Sequence, residues 1–139
     1  MYLLDTNVVS ELRKAPSGRA NAGVVIWSEE QATHNLYLSV ITLMELEMGI
    51  LQVEHRRDAA QGGRLRKWFD TQVMKAFEGR ILPVDAAVAT RCAQLMIPDP
   101  LSPWDALIAA TALHHNLTVV TRNVRDYQAS GVTVFDPWS

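Results

Sequence analysis

The chain has 139 residues, of which 48% are hydrophobic and 20% are charged, a composition typical of one globular domain. One cysteine excludes a disulfide framework and a cysteine-rich zinc site, and a formal charge of −2 gives no electrostatic reason to expect a nucleic-acid partner. No apolar run is long enough to span a bilayer, and the first residues lack the pattern of a signal peptide, so we expect a single cytoplasmic domain over residues 1–139 without membrane contact.

Short apolar runs typical of strands alternate with longer stretches of helical character. The predicted strands are Tyr2–Leu4, Leu36–Ser39, Ile81–Val84, Thr118–Thr121 and Val132–Phe135. The predicted helices are Val8–Arg13, Val24–Ala32, Thr42–Val53, Asp58–Phe77, Ala86–Met96 and Trp104–His115. This alternation predicts an α/β fold in which a mainly parallel sheet lies between two layers of helices. In such folds ligands bind beyond the carboxyl ends of the strands.

Acidic residues stand where predicted strands and loops lead into helices. Asp5 follows the first strand, and Asp105 opens an apolar helix. Each also has a purely structural explanation, Asp5 as a helix N-cap and Asp105 as the acid of a capping box that begins at Ser102. Because the helix after Asp105 is apolar on nearly every face, we expect it to be buried. A carboxylate at its N-terminus must then be hydrogen-bonded or bound to a cation.

Two further acidic regions leave alternatives open. After the fourth strand, Asn123 and Asp126 are either the first residues of a capped helix or members of an acidic cluster. On the helix Thr42–Val53, periodicity does not choose between Glu45 and Glu47. Apolar residues surround Glu47 more closely, whereas a glycine one turn beyond Glu45 leaves open space beside that carboxylate.

Several carboxylates brought to one sheet edge repel one another and cannot all remain ionised at neutral pH without a cation. Carboxylate ligands without a cysteine or histidine pattern suit Mg²⁺ or Mn²⁺ rather than zinc. A divalent cation of this kind activates water for attack on a phosphodiester. The sequence therefore predicts metal-dependent phosphodiester chemistry if these acids meet.

Four segments follow one another as they do in PIN-domain proteins. They are Leu3–Glu11 (LLDTNVVSE), Leu38–Leu46 (LSVITLMEL), Asp105–Ala112 (DALIAATA) and Val120–Asn123 (VTRN). The chain resembles the VapC/FitB-type toxins of bacterial toxin–antitoxin pairs from residue 2 to residue 138. The resemblance implies a three-layer α/β/α PIN domain and a metal-dependent endoribonuclease.

Carried over residue by residue, the resemblance assigns one Mg²⁺, replaceable by Mn²⁺, to Asp5, Glu45 and Asp105. It thereby chooses Glu45 over Glu47. Where some relatives carry a fourth acid, this chain has Asn123, and Asp126 is the catalytic candidate one turn later. The residues expected to hold the carboxylates or a water in place are Thr6, Asn7, Thr121 and Asn123.

The implied reaction is in-line attack of metal-activated water on an RNA phosphodiester, which leaves a 5′-phosphate and a 3′-hydroxyl. Basic residues beside the acids are candidates for holding the RNA backbone, although most exposed cations are simply solvated. These candidates are Arg13, Lys14, Arg122 and Arg125.

The resemblance also implies partners. We expect a homodimer, neutralised by a small VapB-like antitoxin that carries the DNA-binding part of the complex. Apolar residues of the helices Val24–Ala32 and Thr42–Val53 are candidates for a groove that holds an antitoxin helix, or else they belong to the core.

Two other functions fit parts of the sequence. A non-catalytic PIN-like module that binds RNA or protein is favoured by Asn123, which adds no charge to a metal site. A phosphate-handling enzyme with an aspartyl nucleophile fits less well, because Asp5 is followed by Thr6 and Asn7 rather than by a second aspartate two residues on.

Overall fold

The computed structural model describes residues 1–139 and contains a five-stranded sheet with helices on both faces. Its strands are β1 (Tyr2–Leu4), β2 (Leu36–Ser39), β3 (Ile81–Leu82), β4 (Thr118–Val120) and β5 (Val134–Phe135). Its α-helices are α1 (Thr6–Arg13), α2 (Ala22–Glu30), α3 (Val40–His55), α4 (Ala59–Trp68), α5 (Ala86–Leu95), α6 (Pro103–His115) and α7 (Val124–Gln128).

All strand pairs are parallel, in the order β3-β2-β1-β4-β5. Strand β1 is central, with Leu4 opposite Val120 of β4. Because the strands run the same way, the residues that follow β1 and β4 emerge at one edge of the sheet. The α/β fold with a mainly parallel sheet is confirmed.

The two faces of the sheet carry separate hydrophobic cores. Leu4 and Val120 belong to one core, which α1, α2 and α3 cover, whereas Leu3 and Val119 belong to the other, which α6 and α7 cover. Leu3 and Leu4 are both buried, as expected for a strand covered on both faces. This double burial holds the end of β1 rigidly in the middle of the molecule.

The region 58–77 differs from the predicted single helix. Helix α4 ends at Trp68 and is followed by a π-helical segment, Phe69–Lys75. The pair Gly62 and Gly63 lies inside α4. A Cβ atom at Gly62 would lie 3.2 Å from Cγ of Glu54, so the glycine allows α4 to approach α3 closely. Every helix is too short or too polar to span a lipid bilayer.

Candidate metal-binding nuclease site

The end of β1 fixes the first acidic side chain. Asp5 is only 5% exposed and is the N-cap of α1, where its Oδ1 accepts a hydrogen bond of 2.8 Å from the backbone N–H of Thr6. The capping role considered from the sequence is therefore present. It uses only one of the two carboxylate oxygens, so it does not by itself explain why a buried acid stands here.

The other oxygen of Asp5 accepts two hydroxyl groups from the neighbouring part of the sheet. Thr121, which follows β4, donates to Oδ2 at 2.8 Å, and Tyr127 of α7 donates to the same atom at 3.0 Å. Tyr127 is completely buried. Burial and the nearby carboxylates raise the pKa of Tyr127, so its phenol remains a donor.

Thr121 is held in turn by its own neighbours. Its hydroxyl oxygen accepts hydrogen bonds from Nδ2 of Asn7 at 3.1 Å and from the backbone N–H of Asn123 at 3.0 Å. Because both donors point at the oxygen, the single hydroxyl proton is directed to Asp5. Asn7, Thr121 and the Asn123 backbone thus form one network behind the carboxylate.

Helix α3 presents its two candidate glutamates to different partners. Oε1 of Glu45 accepts a hydrogen bond of 2.8 Å from the Thr6 hydroxyl, which also lies 3.2 Å from the hydroxyl of buried Thr42. Oε2 of Glu47 instead lies 2.5 Å from Nη1 of Arg66 in an ion pair. The structure therefore places Glu45, and not Glu47, beside Thr6, the residue whose backbone N–H donates to Asp5.

Asp105 lies in the first turn of α6 and is partly buried. Ser102 occupies the N-cap position, but its side chain makes no capping hydrogen bond. The capping box is therefore not formed, and helix capping does not explain this acid.

The charges of the acidic side chains act on one another. Burial, followed by the charges of Asp5, Asp126 and Glu45, raises the pKa of Asp105 to about 6, and the hydroxyl of Tyr127 opposes this rise. Burial also raises the pKa of Asp5, against the hydrogen bonds that it accepts. We call Asp5, Glu45, Asp105 and Asp126 the acidic edge, because these four carboxylates share one electrostatic field.

Asn123 and Asp126, the two candidates for a fourth acidic position, are exposed. Asn123 is the N-cap of α7, yet its side chain makes no capping hydrogen bond. Asp126 is exposed in the same helix, and its charge raises the pKa of both Asp5 and Asp105. Asp126 therefore supplies negative charge to the site, whereas Asn123 supplies a backbone donor.

The donor chemistry of the acidic edge fits a hard divalent cation. None of its four carboxylates takes part in a salt bridge, so no basic side chain compensates their charge. As the side chains stand, no three acidic, histidine or cysteine residues are close enough together to hold an ion. Binding would therefore require these side chains to close in. A cation there would offset both the burial and the neighbouring negative charges that raise the pKa of Asp105.

The candidate RNA-binding cations have different surroundings. Arg13 and Arg125 are exposed, and Lys14 pairs with Glu11 at 2.9 Å. The guanidinium of Arg122 lies 5.6 Å from the ring centre of Trp138. Arg122 and Arg125 follow β4 and so stand next to the acidic edge in the chain.

The candidate groove residues of α2 and α3 differ in exposure. Ile26 and Leu51 are 55% and 51% exposed, whereas Val25, Trp27, Leu43 and Met44 are partly buried. A separate cavity of about 290 Å³ opens between α1 and the π-helical segment. It is lined by Leu4, Val9, Leu12, Arg13, Ala15, Pro16, Trp68, Gln72, Val73 and Phe77.

The sequence reasoning missed Tyr127 and Thr42. Tyr127 reads as an ordinary apolar position of a short helix, and nothing in the local pattern shows that its hydroxyl reaches Asp5. Thr42 stands one turn before residues 45 and 46 on α3, and that spacing was the available signal.

Comparison with known proteins assigns the family. A PIN domain model matches residues 2–130. The chain belongs to the PIN domain family. Toxin FitB of Neisseria gonorrhoeae is 38% identical to this PIN domain over 144 residues, covering 99% of each chain. The VapC ribonuclease Y4jK of Sinorhizobium fredii is 37% identical over 147 residues, covering 99% of this chain and 98% of the relative.

A solved structure agrees with this assignment. FitAB bound to an IR36 DNA fragment contains a chain that superimposes on this PIN domain with a TM-score of 0.88 and 34% identity, covering 100% of this chain and 96% of the other. The resemblance to the VapC/FitB-type toxins is thereby confirmed, as is the α/β/α PIN fold.

Proposed function

We propose that this PIN domain is a Mg²⁺-dependent endoribonuclease, the toxin of a toxin–antitoxin pair that acts in the cytoplasm. The observation that carries the proposal is the acidic edge, where Asp5, Glu45 and Asp105 share one field without a basic partner. The names of the relatives, a toxin and a ribonuclease, support the same activity.

Asp5, Glu45 and Asp105 are the proposed ligands, and Mn²⁺ is the expected substitute for Mg²⁺. When bound, the ion lowers the pKa of a water and offsets charge on the phosphoryl oxygens. The chain's own contribution is to hold the acids in place. Thr6 fixes Glu45 through its hydroxyl and Asp5 through its backbone, and so couples α1 to α3.

The residues after β4 complete the proposed site. Thr121, oriented by Asn7, anchors Asp5, and Asp126 adds charge at the open side, where an incoming water or phosphate arrives. Asn123 holds Thr121 through its backbone, which leaves its amide side chain free to orient water. We propose Asp126 as the fourth catalytic acid.

We propose that the RNA backbone lies along the rim formed by Arg13, Lys14, Arg122 and Arg125. Arg122 and Arg125 adjoin the acidic edge, so their cations can offset phosphate charge next to the carboxylates. Arg13 stands at the opposite end of α1 from Thr6, so it would contact the RNA farther from the acids. Substituting these cations should weaken RNA binding more than it slows the chemical step.

We propose a small VapB-like antitoxin as the neutralising partner and a homodimer as the state of the toxin. The similarity to a chain of FitAB bound to DNA supports a partner of this class. The apolar cavity between α1 and the π-helical segment offers a place for the apolar face of an antitoxin segment. DNA contact would then be indirect, through the antitoxin.

Cleavage of defined transfer, ribosomal and messenger RNAs tests the nuclease proposal. Wild-type protein with Mg²⁺ should give products with a 5′-phosphate and a 3′-hydroxyl, whereas protein with EDTA and the Asp5→Asn variant should not. Asp70→Asn, which alters an exposed acid of the π-helical segment, is the matched control and should cleave like the wild type. Equal cleavage in all samples would refute a metal-dependent site.

The second candidate function is a PIN-like module that binds RNA or protein without cleaving. The observation that favours it is Asn123, which stands where a fourth acid would add charge. If no RNA is cleaved but RNA is bound with and without Mg²⁺, the binding module is the better description.

A further inference from the structure

The Oδ2 atom of Asp5 has no room for another ligand. It accepts hydrogen bonds from the Thr121 hydroxyl at 2.8 Å and from the Tyr127 hydroxyl at 3.0 Å. A carboxylate oxygen offers about two acceptor positions, so both positions on Oδ2 are used.

The Oδ1 atom of Asp5 accepts fewer hydrogen bonds than Oδ2. It accepts one hydrogen bond, from the backbone N–H of Thr6 at 2.8 Å. One acceptor position therefore remains on Oδ1, whereas none remains on Oδ2. The two oxygens of the same buried carboxylate are not equivalent, and without the Tyr127 hydroxyl each of them would accept a single hydrogen bond.

The surroundings of Tyr127 hold its hydroxyl against Asp5. Its side chain is fully buried in the core cluster on the α6 face of the sheet, and its hydroxyl donates to Asp5 at 3.0 Å and also lowers the pKa of Asp105. The ring could be packed equally well by phenylalanine, which has no donor. The hydroxyl therefore has a purpose that core packing does not account for.

We infer that Tyr127 is a positioning residue for metal binding, because its hydroxyl closes Oδ2 of Asp5 and leaves Oδ1 as the single ligand oxygen. This inference rests on the proposed metal-dependent function. It predicts that Asp5 is a monodentate ligand and that the direction of its free oxygen is set by the two hydroxyls. Groups that orient metal ligands in this way commonly contribute about 10- to 100-fold to metal affinity.

The test is Mn²⁺ binding to the purified full chain, followed through the electron paramagnetic resonance signal of the free ion. Tyr127→Phe keeps the ring and removes the hydroxyl, so we expect about 10- to 100-fold weaker Mn²⁺ binding than in the wild type. Tyr37→Phe is the matched control, since Tyr37 packs against the same core cluster and does not contact the acids. It should bind Mn²⁺ as the wild type does.

A second variant removes the other hydroxyl. Thr121→Val should weaken Mn²⁺ binding in the same direction, which keeps the inference testable if Tyr127→Phe does not fold. RNA cleavage by Tyr127→Phe should recover towards the wild-type rate as Mg²⁺ is raised. A loss caused by misfolding would not recover in this way.

The outcomes separate the two proposals. Wild-type Mn²⁺ binding together with unchanged binding by folded Tyr127→Phe would overturn the positioning role and leave the nuclease proposal intact. Failure of the wild type to bind Mn²⁺ at all would overturn the metal-dependent function and the inference with it. Weakened binding in both hydroxyl variants, with the control unchanged, supports the positioning role.

Discussion

Two groups of carboxylates on and around helix α3 differ in what neutralises them. In the Arg66 cluster, formed by Arg66, Glu47 and Glu54, one guanidinium lies 2.5 Å and 3.1 Å from the two acids. In the acidic edge no basic side chain takes part, and Glu45 meets only the Thr6 hydroxyl. Residues two positions apart in one helix therefore serve a surface ion pair and a candidate metal site.

The difference shows how a fold can retain unfavourable charge. Hydroxyl and backbone donors hold the acidic edge in place without neutralising it, so its repulsion persists in the metal-free protein. In the Arg66 cluster one guanidinium lies between the two carboxylates and offsets most of their repulsion. The comparison predicts opposite responses to neutral substitutions in the two groups.

The largest effect is expected on RNA cleavage when Glu45 of α3 is substituted. Glu45→Gln keeps the size of the side chain and removes its charge, so RNA cleavage should fall by about 100-fold or more, as expected when a group that stabilises developing charge is lost. Glu47→Gln, the matched variant two residues away, should retain close to wild-type activity. Initial rates at saturating Mg²⁺ measure both, and a comparable loss in Glu47→Gln would contradict the assignment.

A smaller effect is expected on the stability of the metal-free protein. Since the pKa of Asp105 is raised from 3.8 to about 6, the folded state binds more protons than the unfolded state between these values. The free energy of unfolding should therefore fall as the pH rises from about 4 to about 6. With EDTA at pH 7.5, Asp105→Asn should be more stable by about 1 kcal/mol, after allowance for solvent screening at this partly exposed group.

Urea unfolding at several pH values measures this stabilisation. Asp99→Asn, which alters an exposed acid in the loop before α6, is the control and should follow the wild-type pH profile. A wild type as stable as Asp105→Asn at pH 7.5 would show that burial and the neighbouring charges do not penalise the ionised Asp105.

The smallest effect is expected in the Arg66 cluster. Arg66→Gln removes two partly exposed ion pairs, so the free energy of unfolding should fall by about 1 kcal/mol or less, and by less still at high salt. Arg64→Gln changes an exposed arginine of the same helix that has no ion pair and provides the control. RNA cleavage should be unchanged in both, and a strong loss in Arg66→Gln alone would connect the two groups.

Local sequence patterns predicted strands β1 and β2 and the sheet edge that carries the acids. They did not decide which glutamate of α3, Glu45 or Glu47, belongs to the site. Strands β1 and β2 are doubly buried apolar runs, so a local pattern was enough to find them, and their predicted bounds are those observed. The choice between Glu45 and Glu47 depends on Thr6 and Arg66, which lie on other helices. Periodicity within α3 contains no information about either partner.

The contact between Tyr127 and Asp5 was beyond the sequence for a similar reason. The two residues are 122 positions apart, and they meet only because β4 pairs with β1. The π-helical segment after Trp68 was also missed, because residues 58–77 carry no proline or capping signal at the point where α4 ends. Local patterns located the acids, but long-range pairing decided what each of them touches.

The central position of β1 has a consequence for biosynthesis. Asp5 follows β1, yet both hydroxyls that anchor it are made much later in the chain, at Thr121 and Tyr127, 116 and 122 positions further on. A nascent polypeptide that stops before β4 has no strand beside β1 on that side and no anchored aspartate. Cleaving capacity should thus arise only in finished molecules, and premature termination fragments should be harmless to the cell that makes them.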